Sequence, residues 1–368
     1  MSIAEAPRLI AFYLPQYHPI PENDRWWGRG FTEWTGVAQA GPQFKGHYQP
    51  HLPADLGFYD LRVPEVREAQ ADLARAHGIH GFCYYHYWFN GKRLLNRPFD
   101  EVLASGRPDL PFCLCWANEN WTRRWDGHEE DVLMEQTYSA EDDLNHIRWL
   151  LRAFRDPRYL RHAGRPVFLI YRAARLPDPR RTTELWREEA RRQGVGELFL
   201  CRVESGGGER ARPREAGFDA AVEFQPDWPN LGQPLRRGWA SRLLGRFGLV
   251  PRVFREGCVH DYATVVRLAR LKRGVDYTRF RCVTPSWDNT ARRGTAARVF
   301  RNATPALYEE WLRRAVSEAR KENHPFVFVN AWNEWGEGNH LEPDLRFGRA
   351  YLEATRRAIA ETARNKVV

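Results

Sequence analysis

Eight short apolar or β-branched runs, each closing in polar and aromatic residues, constrain this chain more than anything else in it. They are Leu9–Leu14, Ile79–Tyr85, Pro111–Ala117, Pro166–Tyr171, Leu198–Val203, Ala220–Phe224, Cys282–Pro285 and Phe326–Ala331. Between most of them lie stretches with the 3.6-residue apolar period of amphipathic helices: Val63–Ala76, Glu141–Phe154, Thr183–Gln193, Asp261–Leu271 and Pro305–Lys321. One more, at about Arg346–Ala363, follows the last run. Strand and helix alternating in this way predict an α/β fold, a single (β/α)8 TIM barrel with long loops at its C-terminal face. A doubly wound open sheet shares the local pattern. The barrel is preferred because no Gly-rich dinucleotide fingerprint follows the first run and the series closes with strand and helix eight.

In a barrel the C-terminal strand ends share one face, and barrel active sites sit there. The first run leads into Tyr13, Gln16, Tyr17 and His18, and the second into Tyr84, Tyr85, His86, Tyr87 and Trp88. Trp116, Asn118, Glu119 and Trp121 follow the third, Tyr171 and Arg172 the fourth, Arg202 and Glu204 the fifth. Glu223 and Gln225 close the sixth, and Trp287, Asp288 and Asn289 follow the seventh. The opposite ends begin in ordinary residues such as Arg8, Gly78 and Arg165, so sugar-binding chemistry is expected on one side only.

The eighth run carries the sharpest signal, Trp332-Asn333-Glu334-Trp335-Gly336-Glu337-Gly338. One carboxyl of such a pair can protonate a leaving oxygen while the other takes a proton or stabilises charge at an anomeric centre. Tryptophan offers a flat apolar platform for the C–H face of a sugar ring. If the strand stayed extended through Glu337, the two carboxylates would face opposite ways, so a turn at Trp335-Gly336 is required.

Charge and cysteine usage narrow the function classes. The net charge of +9 is carried almost wholly by arginine, since lysine occurs only at Lys45, Lys92, Lys272, Lys321 and Lys366. These arginines lie mainly in Glu-rich helical stretches, a solvated pattern that does not suggest nucleic acid as a partner. Five of the six cysteines, Cys83, Cys113, Cys115, Cys201 and Cys282, fall inside predicted strands, which suits a reduced compartment better than a disulfide framework. No signal peptide and no transmembrane run is recognisable, so a cytoplasmic protein is expected, with work beside a membrane assembly left open. The histidines show no zinc spacing, so neither metal nor cofactor is expected. No heptad run declares an interface, and a monomer is expected. The whole chain, 1–368, reads as one domain with a loop insertion at about 226–259, whose apolar-basic patch Trp239–Arg252 suits a lid or an acceptor-binding loop.

The stretches "AFYLPQYHPIPENDRWWGRGFTEWTGVAQAGPQFKGHYQPHLPADLGFYDLR", "GFCYYHYWFNGKRLL", "CWANENWTRRWDG" and "NAWNEWGEGNHLEPD" resemble the WbsX-like polysaccharide-biosynthesis proteins over about residues 8–355. That family is similar in turn, more distantly and chiefly at the Asn-Glu-Trp-x-Glu-Gly turn, to glycoside hydrolase family 99, the endo-α-mannosidases and mannanases. The resemblance implies a (β/α)8 barrel. It also implies that Glu334 acts as base on a sugar 2-hydroxyl, closing an epoxide-like intermediate, and that Glu337 protonates the leaving oxygen and then activates water. In this reading Glu337 needs a raised pKa. Tyr13, Gln16, Tyr17, Tyr85, His86, Trp88, Trp116, Asn118, Glu119, Trp121, Tyr171, Glu223, Trp287, Asn333 and Trp335 are the candidate substrate contacts; Glu33 and Trp34 are weaker ones, and Glu342 is a candidate brace for the turn. A second assignment makes Glu119 the acid, paired across the barrel with Glu334.

Three functions stay open. The first is an endo-acting hydrolase or transglycosylase on a bacterial surface polysaccharide or a lipid-linked oligosaccharide precursor. The second is a glycosyltransferase of O-antigen or capsule biosynthesis, against which stand the lack of any Asp-x-Asp and of any Gly-rich loop other than Ser205-Gly206-Gly207-Gly208. The third is a noncatalytic carbohydrate-binding protein.

Overall fold

The computed structural model describes residues 6–123, 128–205, 212–235, 250–272 and 274–364. Its central sheet consists of β1 (Arg8–Tyr13), β2 (Ile79–Phe89), β3 (Phe112–Trp116), β4 (Arg165–Ile170), β5 (Phe199–Glu204), β6 (Ala220–Glu223), β7 (Arg279–Val283) and β8 (Phe326–Val329). Each strand pairs in parallel with the next, and β1 pairs with both β2 and β8, so the sheet closes on itself. Closure leaves none of the eight as an edge strand and makes the fold a (β/α)8 barrel.

The outer layer is built from α1 (Pro64–Ala76), α2 (Arg97–Ser105), α3 (Ala140–Phe154), α4 (Pro179–Arg192), α5 (Tyr262–Leu271), α6 (Pro305–Lys321) and α7 (Ala350–Arg364). Proline opens α1 and α6, where its missing N–H costs no helix bond, and the Ser139, Asp178, Asp261 and Thr304 side chains cap α3, α4, α5 and α6. Between β5 and β6 the described residues hold only the 3-10 turn Pro213–Ala216.

Two strands differ from the sequence expectation. β7 begins at Arg279, because Arg279 and Arg281 interrupt the apolar pattern; both side chains end in ion pairs, Arg279 with Glu204 and Arg281 with Glu223, Glu318 and Glu322. β2 continues to Phe89, carrying Tyr87 beyond the expected strand end.

Strand alternation sorts the side chains of the wall. Phe12 meets Tyr85, Phe224 and Phe328 with ring centroids 5.4–5.6 Å apart, an aromatic plug across the barrel. Each such buried ring contributes about 1.5–3 kcal/mol. Tyr13, one residue on, points outward and donates to Gln70 of α1 at 2.6 Å.

The connection from β1 to β2 holds two short helices, Pro21–Trp27 and Glu33–Gln39. Of the 226–259 segment, 236–249 and most of the Trp239–Arg252 patch lie outside the described residues, as does the glycine run at 206–208. Its end forms the strand Cys258–Asp261, paired in parallel with Arg298–Arg301 over a small apolar cluster of Val250, Val253, Phe254, Val259, Ala297 and Val299. Among the described residues no helix is long and apolar enough to cross a membrane.

Candidate active site

Beyond β8 the chain forms a hairpin. Asn333–Glu334 pairs antiparallel with Asn339–His340, and the 3-10 turn Trp335–Glu337 connects them. Gly338 ends that turn at φ 54, in the left-handed region. The turn brings both carboxylates to one guanidinium: Arg292 donates from Nη2 to Glu334 at 2.9 Å and from Nη1 to Glu337 at 2.6 Å.

A third carboxylate completes the cluster. Glu33, fully buried at the start of its short helix, accepts from Arg292 Nη2 at 2.6 Å and Nε at 3.1 Å. A Cβ at Gly336 would stand 1.9 Å from Glu33 Oε1, so only glycine fits between the turn and this carboxylate. Arg292 itself comes from the helix Thr290–Arg293, set beyond β7 by Asp288, whose Oδ1 accepts from Thr290 N at 3.0 Å and Thr290 Oγ1 at 2.5 Å.

Three carboxylates facing one cation cannot all ionise easily. Burial pushes Glu33 up to about 7, with Arg292 opposing and Glu334 adding to the rise. Glu334 is also raised, by burial first, against the pull of Arg292. Glu337 is the most accessible of the three, with its side chain 20% exposed against 8% for Glu334 and 0% for Glu33.

Beneath the turn lies a second layer built on Glu342. Glu342 accepts from Trp335 Nε1 at 2.7 Å, Tyr59 Oη at 2.8 Å and Gln70 Nε2 at 2.6 Å, and burial pushes its carboxyl up to about 7. It braces the turn as the sequence suggested. Trp335 is buried against Trp34 and His340. Asn333 exchanges both side-chain hydrogen bonds with the Leu14 backbone, at 2.7 and 3.0 Å, and so ties β8 to β1. Tyr17 donates to the Asn333 carbonyl. Gln16 accepts the Glu33 N–H on its backbone carbonyl. Tyr13, Tyr17, Asn333 and Trp335 are thus buried among the supports of the turn, an arrangement that suits bracing it better than the sugar contact expected for them.

The wall of the mouth divides by strand parity. Tyr85 and Tyr87 face inward with the carboxylates: Tyr85 is influenced by Glu334 and Glu337, and Tyr87 by Glu334, Arg292 and Glu33, while burial is the main reason both hydroxyls stay protonated. Tyr171 joins Tyr85 edge to face at 6.2 Å. Trp121 packs against Tyr87 at 5.2 Å. His86, Trp88 and Trp116 face the other way, contrary to expectation. His86 Nε2 meets His146 Nε2 at 3.0 Å, Trp88 Nε1 donates to Asp142 at 2.9 Å, and Trp116 packs on His146 and Trp186, all behind the barrel wall.

Other candidates also lie away from the carboxylates. Glu223 is buried in ion pairs with Lys272 at 3.0 Å and Arg281 at 3.4 Å. Asn118 bridges to the Arg172 backbone through 2.8 and 2.9 Å bonds. Glu119 forms an ion pair with Arg172 at 2.8 Å and influences Tyr171, so it stands on the far side of the mouth. Trp287 packs edge to face on Trp228 at 5.0 Å and lines a neighbouring cleft. Arg292 was missed, since it sits in a polar stretch with no pattern around it; Tyr87 was placed at the C-terminal face but not among the candidate contacts, because it lies past the expected end of β2.

Comparison with known proteins agrees with this architecture. The family model described as glycosyltransferase WbsX matches residues 9–355. An uncharacterized protein WxcX of Xanthomonas campestris pv. campestris strain B100 is 50% identical over 355 residues, covering 95% of this chain and 49% of its own length. The chain therefore spans about half the length of the curated relatives it matches. Among solved structures, a glycoside hydrolase-like protein superposes with a TM-score of 0.59 at 16% identity, covering 98% of this chain and 95% of the other. The GH99 endo-alpha-mannosidase from Bacteroides thetaiotaomicron does so at 0.57 and 15% identity, covering 98% and 99%. At such identities the likeness is one of fold.

Proposed function

The chain belongs to the WbsX glycosyltransferase family, and from that membership and the carboxylate geometry we propose that it is an endo-acting glycoside hydrolase or transglycosylase working on a bacterial surface polysaccharide or its lipid-linked precursor. A single observation carries the reading: two carboxylates of one turn, Glu334 and Glu337, are held on one arginine at the barrel mouth. A binding protein has no need to gather buried like charges, whereas acid–base chemistry does.

Glu334, the more buried, is the base, and Glu337, the more exposed, meets the glycosidic oxygen. As base, Glu334 withdraws the proton of a sugar 2-hydroxyl, whose oxygen attacks the anomeric carbon as the glycosidic bond breaks. Glu337 gives its proton to the departing oxygen, and the carboxylate left behind takes a proton from the water or sugar hydroxyl that attacks the anomeric carbon, while Glu334 returns its proton to the 2-oxygen as the C1–O2 bond breaks. For Glu337 to hold that proton, its 2.6 Å contact with Arg292 has to open when substrate binds. Arg292 then keeps Glu33 and Glu334 in place. Tyr85, Tyr87, Tyr171 and Trp121 line the approach, with Glu119 contacting hydroxyls opposite. We place the enzyme beside a polysaccharide-assembly system in the cytoplasm, as one catalytic unit.

The family description favours one other reading, glycosyl transfer from an activated donor. The test is release of reducing ends from α-mannans, rhamnans and O-polysaccharides without nucleotide sugar or metal, by wild type and Glu337→Gln side by side. Release by wild type that is lost in the variant supports the hydrolase. No release, together with transfer from a nucleotide sugar, moves the assignment to the transferase.

A further inference from the structure

Behind the carboxylate turn, a cleft of about 100 Å³ is lined by side chains that the proposed chemistry does not use, among them Tyr48, His51, Trp287, His340 and Asp344. His51 Nδ1 and His340 Nε2 stand 3.0 Å apart, and Asp344 Oδ2 is 3.9 Å from His340 Nε2. One ligand atom from each of the three residues lies within 4.8 Å of the others, and all three residues are buried. We propose that His51, His340 and Asp344 bind one divalent transition-metal ion, with Zn2+ the best chemical match.

Orientation argues for a built site. His340 Nδ1 meets the Glu342 carbonyl at 2.9 Å, which places the ring proton there and leaves the Nε2 lone pair facing His51. Asp344 Oδ1 accepts the N–H groups of Arg346 and Phe347 at 2.8 and 2.6 Å, which leaves Oδ2 toward His340. The two imidazoles are clamped by rings, His340 by Trp335 at 3.7 Å and His51 by Tyr48 at 4.3 Å.

The donor set is that of a three-ligand zinc site. With Zn–N and Zn–O bonds of about 2.0–2.2 Å, tetrahedral ligand atoms lie about 3.3–3.5 Å apart, close to the spacing here. A fourth position would open on the cleft, for water or a ligand. In the metal-free protein one proton lies between the two facing nitrogens, on His51 Nδ1. On binding it moves to His51 Nε2 and the cation takes its place, so no redox step is involved. The ion would tie the loop bearing His51 to the hairpin in which His340 pairs with Asn333, stiffening the turn from behind. The sequence showed no metal motif because His51 and His340 are 289 residues apart.

The test uses untagged full-length chain, stripped with chelator, dialysed against Zn2+ and measured by elemental analysis. About one Zn2+ per chain is expected in wild type and less than about a tenth in His51→Gln and His340→Gln. Wild type that retains no stoichiometric Zn2+, or either variant that retains the wild-type amount, overturns the site. His51→Gln leaves the His340–Glu342 contact intact, and circular dichroism unchanged from wild type separates ligand loss from misfolding. Should both variants fail to fold, Co2+ loaded into wild type decides: intense visible bands of a tetrahedral site support it, and the weak spectrum of hydrated Co2+ refutes it.

Discussion

The two sides of the β2–β3 wall are built from the same residue types and do different work. Inside, Tyr85 and Tyr87 face a cluster in which three carboxylates share the Arg292 guanidinium. Outside, His86, Trp88 and Trp116 pack on His146 of the helix α3, with His86 bonded to His146 and Trp88 to Asp142, and burial keeps both imidazoles uncharged. The difference teaches that carboxylates crowded on one guanidinium, and not aromatic richness, distinguish the side to which we assign the chemistry. Buried groups that complete each other stabilise the fold, whereas carboxylates crowded on one cation are poised to exchange protons.

That contrast can be broken by mutation. Glu334→Gln and Glu337→Gln should each reduce kcat about 10²- to 10⁴-fold with little change in Tm, checked by reducing-end release and thermal unfolding. Equal activity in both variants would remove the carboxylates from the chemistry. Arg292→Gln leaves the carboxylates without their counter-charge and should destabilise the fold by about 3–5 kcal/mol, read from urea unfolding. Stability unchanged by that substitution would mean that the cluster is already protonated throughout. On the outer side, Trp88→Phe deletes the bond to Asp142 and should cost about 1–3 kcal/mol of stability while leaving kcat as it is. A large loss of kcat there would dissolve the distinction between the two faces.

The smallest effect sharpens the electrostatic side. Glu33 and Glu342 have folded pKa values of about 7, above an unfolded value near 4.5. Between pH 4.5 and about 7 the native state therefore binds more protons than the unfolded chain, and stability falls as pH rises. Their stabilising contribution is complete below pH 4.5 and is lost through pH 7. Glu33→Gln should flatten the fall of Tm across that window, and Glu33→Gln with Glu342→Gln should flatten it further. A slope unchanged in both would show that these carboxyls titrate normally.

Much of this protein was legible in its residues. All eight strands were, and α6 at Pro305–Lys321 matched its observed bounds, because a strand or helix buried on one face must repeat its apolar residues at the period of its own geometry. Glu334 and Glu337 were legible too, since two carboxylates with glycine and tryptophan on one strand end are a local arrangement. Facing was not: His86 and Tyr87 are neighbours in sequence and lie on opposite sides of the wall, and only the closed sheet fixes which parity looks inward. Nor could the chain disclose that Glu33, Arg292 and Glu337, or His51, His340 and Asp344, would meet. The meetings of Glu33 with Arg292 and of His51 with His340 join loops 259 and 289 residues apart, and the local periodicity that encodes a helix or strand holds no information about which loops the barrel's closure brings together.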